Sequence, residues 1–483
     1  MSLTETPAAA PLPRTPLDDA VPAALDPAAV AELRGRVHGP VYVAGDDGMA
    51  AEVAAWNLAV THTPAVAVGA TCAADVAAAV SFAAAHGLPV AVQATGHGPV
   101  RNADGALMIT TRRMQGVAVD PARRTARVEA GVKWQKVVAA AAEHGLAGLC
   151  GSSSDVGVVG YTLGGGLGPL GRRHGFAADA VVSVEIVTAD GVLRTVCAET
   201  EPELFWAVRG GKGNFGVVTA LEFELFRVPA LVAGGLFFAG RDAAAVLHAY
   251  RAWAPTLPEE VGTSVAVLRL PPVEELPPPL RGQTVVHLRY VYAGEDPELG
   301  TALVAPMQAA GEVLLGGVGP MPTTALDAVH MDPTDPMPGW EKGMLLAELT
   351  EETVDAFLAA AGPDVQVPLV MAEIRQMGGA LARPARVPDA VPGRGAAWSV
   401  FVIGPMVPEL AEVVPAVGRG VLAALAPWAA PGGMVNFLGD VSGPEEVLAA
   451  WDPASAERLL AVKRAVDPDD VFSTGYALRG RGA

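Results

Sequence analysis

Cysteine is scarce in this chain. Its 483 residues include three, Cys72, Cys150 and Cys197, far apart and without a CxxC spacing. A disulfide framework needs pairs and a thiolate metal site needs clustered ligands, so neither is expected, nor is any other metal site, and a reducing, cytoplasmic compartment is. Basic residues are also few: 33 Lys and Arg stand against 52 Asp and Glu, a formal charge of -19, and they form no block. A nucleic-acid groove requires a concentrated positive patch, so no nucleic-acid partner is expected. Long apolar runs are missing too. Stretches such as DVAAAVSFAAA are too short and too closely bounded by turns to span a bilayer. The opening MSLTETPAAAPLPRTPLDDAVPAALDP lacks the basic start and apolar run of a secretory signal. Its Pro and Ala content predicts a flexible arm over residues 1–25.

What is abundant is Gly (55), Pro (41) and small apolar residues, within a hydrophobic total of 51%. That describes a loop-rich globular protein long enough for two or three domains, of the Ala-, Gly- and Pro-rich kind common in high-GC bacteria. Helix and strand signals alternate from residue 26 to about 145. Thr71 is placed to cap a helix through AADVAAAVSFAAAH, which Gly87 ends. LPVAVQA and ALMITT read as buried strands, and VAVDPARRTARVEAG as two strands around a Pro-Ala-Arg-Arg turn. Trp134 to His144 reads as a helix closed by Gly145. His86 and His144 then sit at helix C-termini, where the dipole favours an imidazolium, and need no further role. His97 is different: it lies between Gly96 and Gly98 in PVAVQATGHGPV, directly after a strand.

Residues 148–175, GLCGSSSDVGVVGYTLGGGLGPLGRRHG, show neither helical nor alternating period. A loop of that length inside a compact domain signals function. Strand pairing resumes around Asp190-Gly191. PELFWAVRGGKGNFGVVTALEFELFRV then gives a helix, a Gly-rich turn and a strand. From about 230 to 430 five strand-like runs (LVAGGLFF, TSVAVLRL, TVVHLRYVY, PLVMAEIRQM and AAWSVFVIG) are spaced by helices near 241–254, 297–310, 351–361 and 408–427. The fold class expected is α+β: a first domain over 26–228, a second over 229–430 with an antiparallel sheet covered by helices, and a tail over 431–483 with a helix from Pro453 to Val466.

Successive backbone N–H groups cradle an anion only where side chains stay out of the way. The ATGHG turn and the 148–175 loop both offer this, and two such turns in one domain point to a dinucleotide; tight turning alone is the other explanation. Gly166-Leu-Gly168-Pro-Leu-Gly171 spells GxGxxG. A Gly run precedes it and Pro169 and Arg172-Arg173 follow, so the strand-to-helix context of an NAD fingerprint is missing. The loop also holds Ser and Asp, but a G-x-S-x-G elbow is absent, which leaves a hydrolase as a remote alternative.

Four stretches in order, VAVQATGHGPV, SSSDVGVVGYTLGGGLGPLGRRHG, ELFWAVRGGKGNFGVVT and VNFLGDVSG with ERLLAVKRAVDPDDVF, resemble the FAD-linked oxidases of the vanillyl-alcohol oxidase and berberine-bridge-enzyme group, with a PCMH-type FAD-binding domain. The resemblance runs from about residue 30 to the end. It implies an FAD-binding domain at 26–228, a substrate-binding domain at 229–430, and a C-terminal segment at 431–483 returning to the FAD domain. It implies that FAD is attached covalently through His97, at the 8α-methyl carbon. Neutral imidazole is a nucleophile near neutral pH, and flanking glycines let the flavin edge approach. Many relatives add a second bond through a Cys four residues before the Gly of the VG step. That position is Ser153, four before Gly157, and Cys150 lies three residues earlier. A single histidyl bond is therefore implied, with a shifted loop presenting Cys150 as the alternative. The cofactor-binding set implied is Ala94, Thr95, Gly96 and Gly98 in the first loop and Ser153, Ser154, Asp155, Gly157 and Gly160 in the second. Ala94 to Gly98 and Ser154 to Gly160 would wrap the pyrophosphate and ribityl chain. Tyr161 stands where many relatives place a His beside the flavin, and Val218 near the adenine. Asn436 and Phe437 replace part of a Tyr-x-Asn-Tyr strand that faces the isoalloxazine.

The implied activity is oxidation of a small organic substrate, by hydride transfer to flavin N5 and reoxidation by O2 to give hydrogen peroxide. A dehydrogenase using another acceptor, or a cyclase using the flavin site, are the alternatives. Relatives often take the base from a Tyr of the Tyr-x-Asn-Tyr strand, but Met434 and Phe437 occupy those positions, and Gly475 replaces an Asn common in relatives. Glu373 and Arg375 alternate on a strand of the second domain and are the catalytic candidates with Tyr161; a Glu–Arg structural pair is the other reading, and Tyr476 is a further candidate base. Phe237, Phe238, Trp253, His287, Tyr290, Tyr292, Met371 and Met377 are mostly expected in the core. Any that line a cavity favour a largely apolar or aromatic substrate. High-GC bacterial relatives often tailor secondary metabolites, an analogy that carries no residue-level argument. The oligomeric state is left open by the sequence.

Overall fold

The computed structural model describes residues 25–98, 101–228 and 230–479. The arm expected over residues 1–25 falls almost wholly outside the described residues.

The Val-rich runs near the start build a four-stranded sheet, in the spatial order Val41–Val43, Val66–Gly69, Leu107–Thr110, Val90–Gln93. The last three strands are parallel. The two inner ones are buried on both faces, which is why they read as unbroken apolar runs. A second, antiparallel sheet follows in the order Val117–Asp120, Thr125–Glu129, Val217–Glu224, Val181–Val187, Leu193–Cys197. Helix Ala73–Ala85 lies between the two. Its Val76, Ala79 and Val80 share one core with Val66 and Ile109 of the first sheet and Val187 and Val217 of the second. Thr71 does not cap this helix as expected. Its N–H and hydroxyl both donate to the buried carboxylate of Asp75, at 2.9 and 2.7 Å, and the N-cap residue is Cys72. Gly87 does end it, with φ +64°. His86 stacks on Phe82 at 4.1 Å, a structural role.

The 148–175 loop contains two short helices, Val158–Leu163 and Gly171–His174. At six and four residues they are too short for a helical period to register in the sequence.

The second domain is a seven-stranded, fully antiparallel sheet: Val313–Met321, Leu231–Ala239, Thr284–Tyr292, Val261–Arg269, Met371–Gln376, Trp398–Pro405, Gly339–Leu346. The two outermost strands are additional to the five runs legible in the sequence. Edge strands are half-solvated, and these carry glycines (Gly316, Gly317, Gly319) or charges (Glu341, Lys342) that dilute the strand signal. Side chains alternate across the sheet. Val265, Val267, Ile374 and Val400 face a core shared with helices Ala243–Trp253, Pro297–Gln308, Glu351–Ala361 and Val413–Ala424. The same alternation leaves Ser264, His287, Arg289, Glu373 and Arg375 on the opposite face, in register with one another.

The tail lies along the first domain. The Val90 N–H donates to the Val471 carbonyl at 2.7 Å, and Leu478 N–H to Asn214 Oδ1 at 2.9 Å. The strand expected at Asn436 and Phe437 is instead a 3-10 turn, Val435–Phe437, closed by Phe437 N–H to Met434 O at 2.8 Å. Gly432, at φ +82°, starts the winding. Among the described residues no helix is long and apolar enough to cross a membrane.

Candidate active site

Strand Val90–Gln93 runs into the turn that holds His97. The turn is backed by Trp56 and Asn57, whose N–H groups donate to the carbonyls of Thr95 and Gly96, both at 3.0 Å. Gly96 has φ +74°, and a Cβ there would lie 2.6 Å from Cα of Ala55. Gly96→Ala is therefore expected to lower stability by about 1–3 kcal/mol, read as a lower thermal midpoint. Among the described residues no atom lies within 4 Å of a Cβ built on Gly98. The Trp56 indole stacks on the His97 imidazole at 4.4 Å and 17°. His97 Nε2 lies 3.3 Å from Asp155 Oδ2, and Lys133 Nζ holds the other oxygen of Asp155 at 2.5 Å. The carboxylate takes the Nε2 proton and leaves the Nδ1 lone pair, which has no hydrogen-bond partner among the described residues. Burial keeps the ring pKa below its usual value despite Asp155, so the imidazole is neutral at pH 7.

The two glycine-rich loops meet here. A Cβ on Gly157 would lie 3.5 Å from both Ala94 Cβ and Thr95 Cγ2. Gly160 is exposed, with no atom within 4 Å of its missing Cβ. Ser153 Oγ accepts from the Asp155 N–H at 3.3 Å. Ser154 faces away from the task expected of it: its N–H and hydroxyl donate to Asp327 of the second domain at 2.9 and 2.5 Å, so neither is free for a phosphate. The GxGxxG-like run serves close packing, since a Cβ on Gly168 would collide with the Cys150 carbonyl. Cys150 itself is buried, which pushes its thiol up to about 12 and removes the thiolate a second attachment needs. Val218 is buried in its strand, within the first domain's core.

Tyr161 packs edge-on against Trp134 at 5.7 Å, and its hydroxyl is buried without a partner. Its carbonyl accepts from Asn436 Nδ2 at 2.7 Å, while Asn436 Oδ1 is also buried and unpartnered. Each such orphan costs about 1–3 kcal/mol if nothing satisfies it. Asn436 borders glycine-walled space, a small cavity between Gly164, Gly166, Phe176, Met434, Asn436 and Phe437, and the Tyr161 ring lies against Gly166. An orphan donor and an orphan acceptor beside side-chain-free backbone suit a planar heterocycle carrying both kinds of group. Lys212, at φ +60°, interrupts the glycine run of its motif and donates to the Gly160 carbonyl at 3.1 Å. Burial pushes its pKa down to about 8, and that of nearby Glu341 up to about 7.

Across from these, the second domain presents a charge network. Glu373 is buried and accepts from Arg289 Nη1 at 2.7 Å and from Arg375 Nη2 at 3.2 and 3.0 Å. Burial works against its charge, but the two guanidiniums win and hold the carboxyl far below the usual range. It is therefore ionised at any working pH and a poor proton acceptor, contrary to its expected role as base; it anchors the arginines. Arg375 also lies over the Phe437 ring, 5.7 Å from its centre, which joins this network to the wall of the glycine-lined cavity. Arg289 Nε donates to His287 Nδ1 at 3.3 Å, and His287 stacks on Phe237 at 3.9 Å. A second cavity is bounded by Leu167, Pro169, Ser264, Arg289, His330 and Arg375 among others. Burial first, then Arg289 and Arg375, hold His330 well below the usual histidine pKa, and its Nδ1 has no partner. Phe238, Trp253, Tyr290 and Tyr292 point into the helix-side core. Tyr476 is spent on a hydrogen bond to the Gly439 carbonyl. Sequence reasoning missed Trp56, Lys133, Lys212, Arg289 and His330. Only Lys212 carried a signal, as a lysine inside a glycine run.

Residues 64–196 match the family described as FAD binding domain. The (R)-6-hydroxynicotine oxidase of Paenarthrobacter nicotinovorans is 33% identical over 234 residues, 48% of this chain and 48% of that protein. The chain thus spans about half the length of the curated relatives it matches in sequence. The crystal structure of 6-hydroxy-D-nicotine oxidase from Arthrobacter nicotinovorans superposes with a TM-score of 0.78 at 27% identity, over 92% of this chain and 98% of that one. BBE-like 1 of Physcomitrella patens gives 0.79 at 19% identity, over 94% and 100%, a likeness of fold alone. The α+β expectation thus holds: residues 64–196 match an FAD binding domain, and over 92–94% of its length the chain has the fold of the 6-hydroxy-D-nicotine oxidase and BBE-like proteins.

Proposed function

We propose that this protein is an FAD-dependent oxidase that binds its cofactor through a single covalent bond to His97. The observation that carries the reading is the setting of His97 inside the FAD-binding domain: a neutral ring, stacked on Trp56, with Asp155 on Nε2 and Nδ1 unpartnered. His97 would hold FAD by a C–N bond that takes the place of one 8α-methyl C–H and of the imidazole N–H, with O2 as the acceptor of the two electrons. Asp155 and Lys133 act as positioning residues for the ring. Ala94, Thr95, Gly96, Gly98, Gly157 and Gly160 supply backbone without obstruction, and the Tyr161 hydroxyl and Asn436 Oδ1 supply the polar contacts that the protein alone leaves unmade. FAD, when bound, supplies the acceptor for a substrate hydride and returns the electrons to O2 as hydrogen peroxide. The substrate occupies the cavity under Arg375, and its O–H or N–H proton goes to His330, the neutral histidine of the cavity lining, whose Nδ1 has no partner among the described residues.

The test is acid precipitation of the purified protein followed by intact-mass measurement. Wild type is expected to keep yellow colour in the pellet and to carry the mass of one FAD. His97→Ala is expected to release all colour into the supernatant. A bare polypeptide mass from a yellow wild-type preparation would overturn the covalent bond, and a protein that takes up no FAD would overturn the function.

A further inference from the structure

Three guanidiniums border the larger cavity, Arg172, Arg289 and Arg375. One carboxylate, Glu373, faces them, and His330 and His287 are neutral. Arg172 has the Glu259 carboxylate nearby, while Arg289 and Arg375 share the single carboxylate of Glu373, which leaves one positive charge of that pair uncompensated. Arg172 spends its donors on backbone carbonyls, among them Val261 at 2.8 Å, and Arg289 spends Nε on His287 and Nη1 on Glu373. Arg375 is different. Glu373 takes only its Nη2, and among the described residues Nε and Nη1 form no hydrogen bond. Its side chain is 13% exposed. Beside it, Ser264 is 2% exposed, in direct register with both Arg289 and Arg375, and its hydroxyl helps hold the charge of Glu373.

Charge held out of water without a counter-ion is costly, and a guanidinium with a free edge matches a carboxylate in shape. We propose that the substrate of this site carries a carboxylate, bound by the free Nε–Nη1 edge of Arg375. This rests on the flavin-oxidase reading and replaces the largely apolar substrate expected from the sequence. Most of the aromatic side chains behind that expectation lie in the core, and the cavity sets guanidiniums among apolar residues such as Leu167, Pro169, Val329 and Leu381. Glu373 then has a purpose: it fixes Nη2 of Arg375 and so aims the other edge. An anion in place also offsets the field on His330, which makes His330 a better proton acceptor only when the cavity is filled.

The experiment is calorimetric titration of the FAD-loaded protein with acetate, propionate and benzoate, each paired with its neutral amide. At least one carboxylate is expected to bind about 10- to 100-fold more tightly than its amide, the range of hydrogen bonds to charged groups. Arg375→Met should abolish the preference, and Arg375→Lys should restore it in part. Arg123→Gln, at a surface pair far in sequence from the site, should leave it intact. Equal binding of acids and amides, no binding of either, or a preference that survives Arg375→Met would overturn the proposal. FAD content, read from the visible spectrum of each preparation, reports separately on the flavin reading. A fully loaded protein without carboxylate preference leaves that reading in place.

Discussion

His330→Gln is expected to slow flavin reduction by about 10²- to 10⁴-fold, the usual contribution of a positioned general base, while FAD stays covalently bound. The group qualifies by elimination among the cavity residues. Glu373 is locked as a carboxylate between Arg289 and Arg375. Burial holds the Tyr161 hydroxyl far above its usual pKa, so it keeps its proton at neutral pH. His330 is neutral with an unpartnered ring nitrogen, and glutamine preserves much of its size without a basic nitrogen. The pH dependence gives an independent readout. A base must be unprotonated to act, and the His330 pKa lies well below 6.5. Reduction in wild type should therefore stay flat from pH 8 down through 6.5 and fall only in more acidic solution. An unperturbed histidine would already lose half its activity near 6.5. In His330→Gln the acid limb should vanish with the rate. Stopped-flow measurement of flavin bleaching under anaerobic conditions gives both; an unchanged rate constant would remove His330 from the role.

Much of the fold was legible because its strongest signals are local. The Ala-rich helices, the hairpin turn after Asp120 and the five inner strands of the second domain's sheet each carry their own period or turn residues. The edge strands were not, because solvent on one side relaxes the pattern that burial imposes. Thr71 shows a different limit. A threonine two residues before a helix looks like a cap, but Asp75 in the first turn is the better acceptor and reverses the hydroxyl's direction.

The site divides the same way. His97 and the loops that touch it lie in contiguous, glycine-marked motifs, so their residues could be named in advance. Arg289 and His330 could not. They lie 84 and 43 residues from Glu373 in the chain, and only strand register and the turn after Thr323 bring them to the cavity. The sequence places Glu373 and Arg375 on one face of a strand. It does not reveal that a second guanidinium arrives from the next strand but one, and that arrival turns a candidate base into a permanent anion.

The consequence is large for stability. Glu373→Ala should cost about 3–5 kcal/mol, because it leaves Arg289, 3% exposed, as a buried charge without a partner and brings it into repulsion with Arg375. For a domain of about 200 residues that is a fall in midpoint of about 6–20 °C. The sign of the pH dependence follows from the depressed pKa of Glu373. Its stabilisation is fully present above the ordinary carboxylate range and is lost only as pH falls below that range toward the folded-state value. The gap in melting temperature between wild type and Glu373→Ala should thus be constant from pH 8 to about 5 and narrow in stronger acid. A double variant separates a lost anchor from a lost cavity-filling side chain. Glu373→Leu with Arg289→Leu removes both members of the buried pair, and apolar side chains of similar reach tolerate that environment. It should be more stable than Glu373→Leu alone, although it carries one more substitution. If the single variant is the more stable of the two, the network is not what holds this face of the sheet together, and Glu373 is free to be reconsidered as a group that touches substrate.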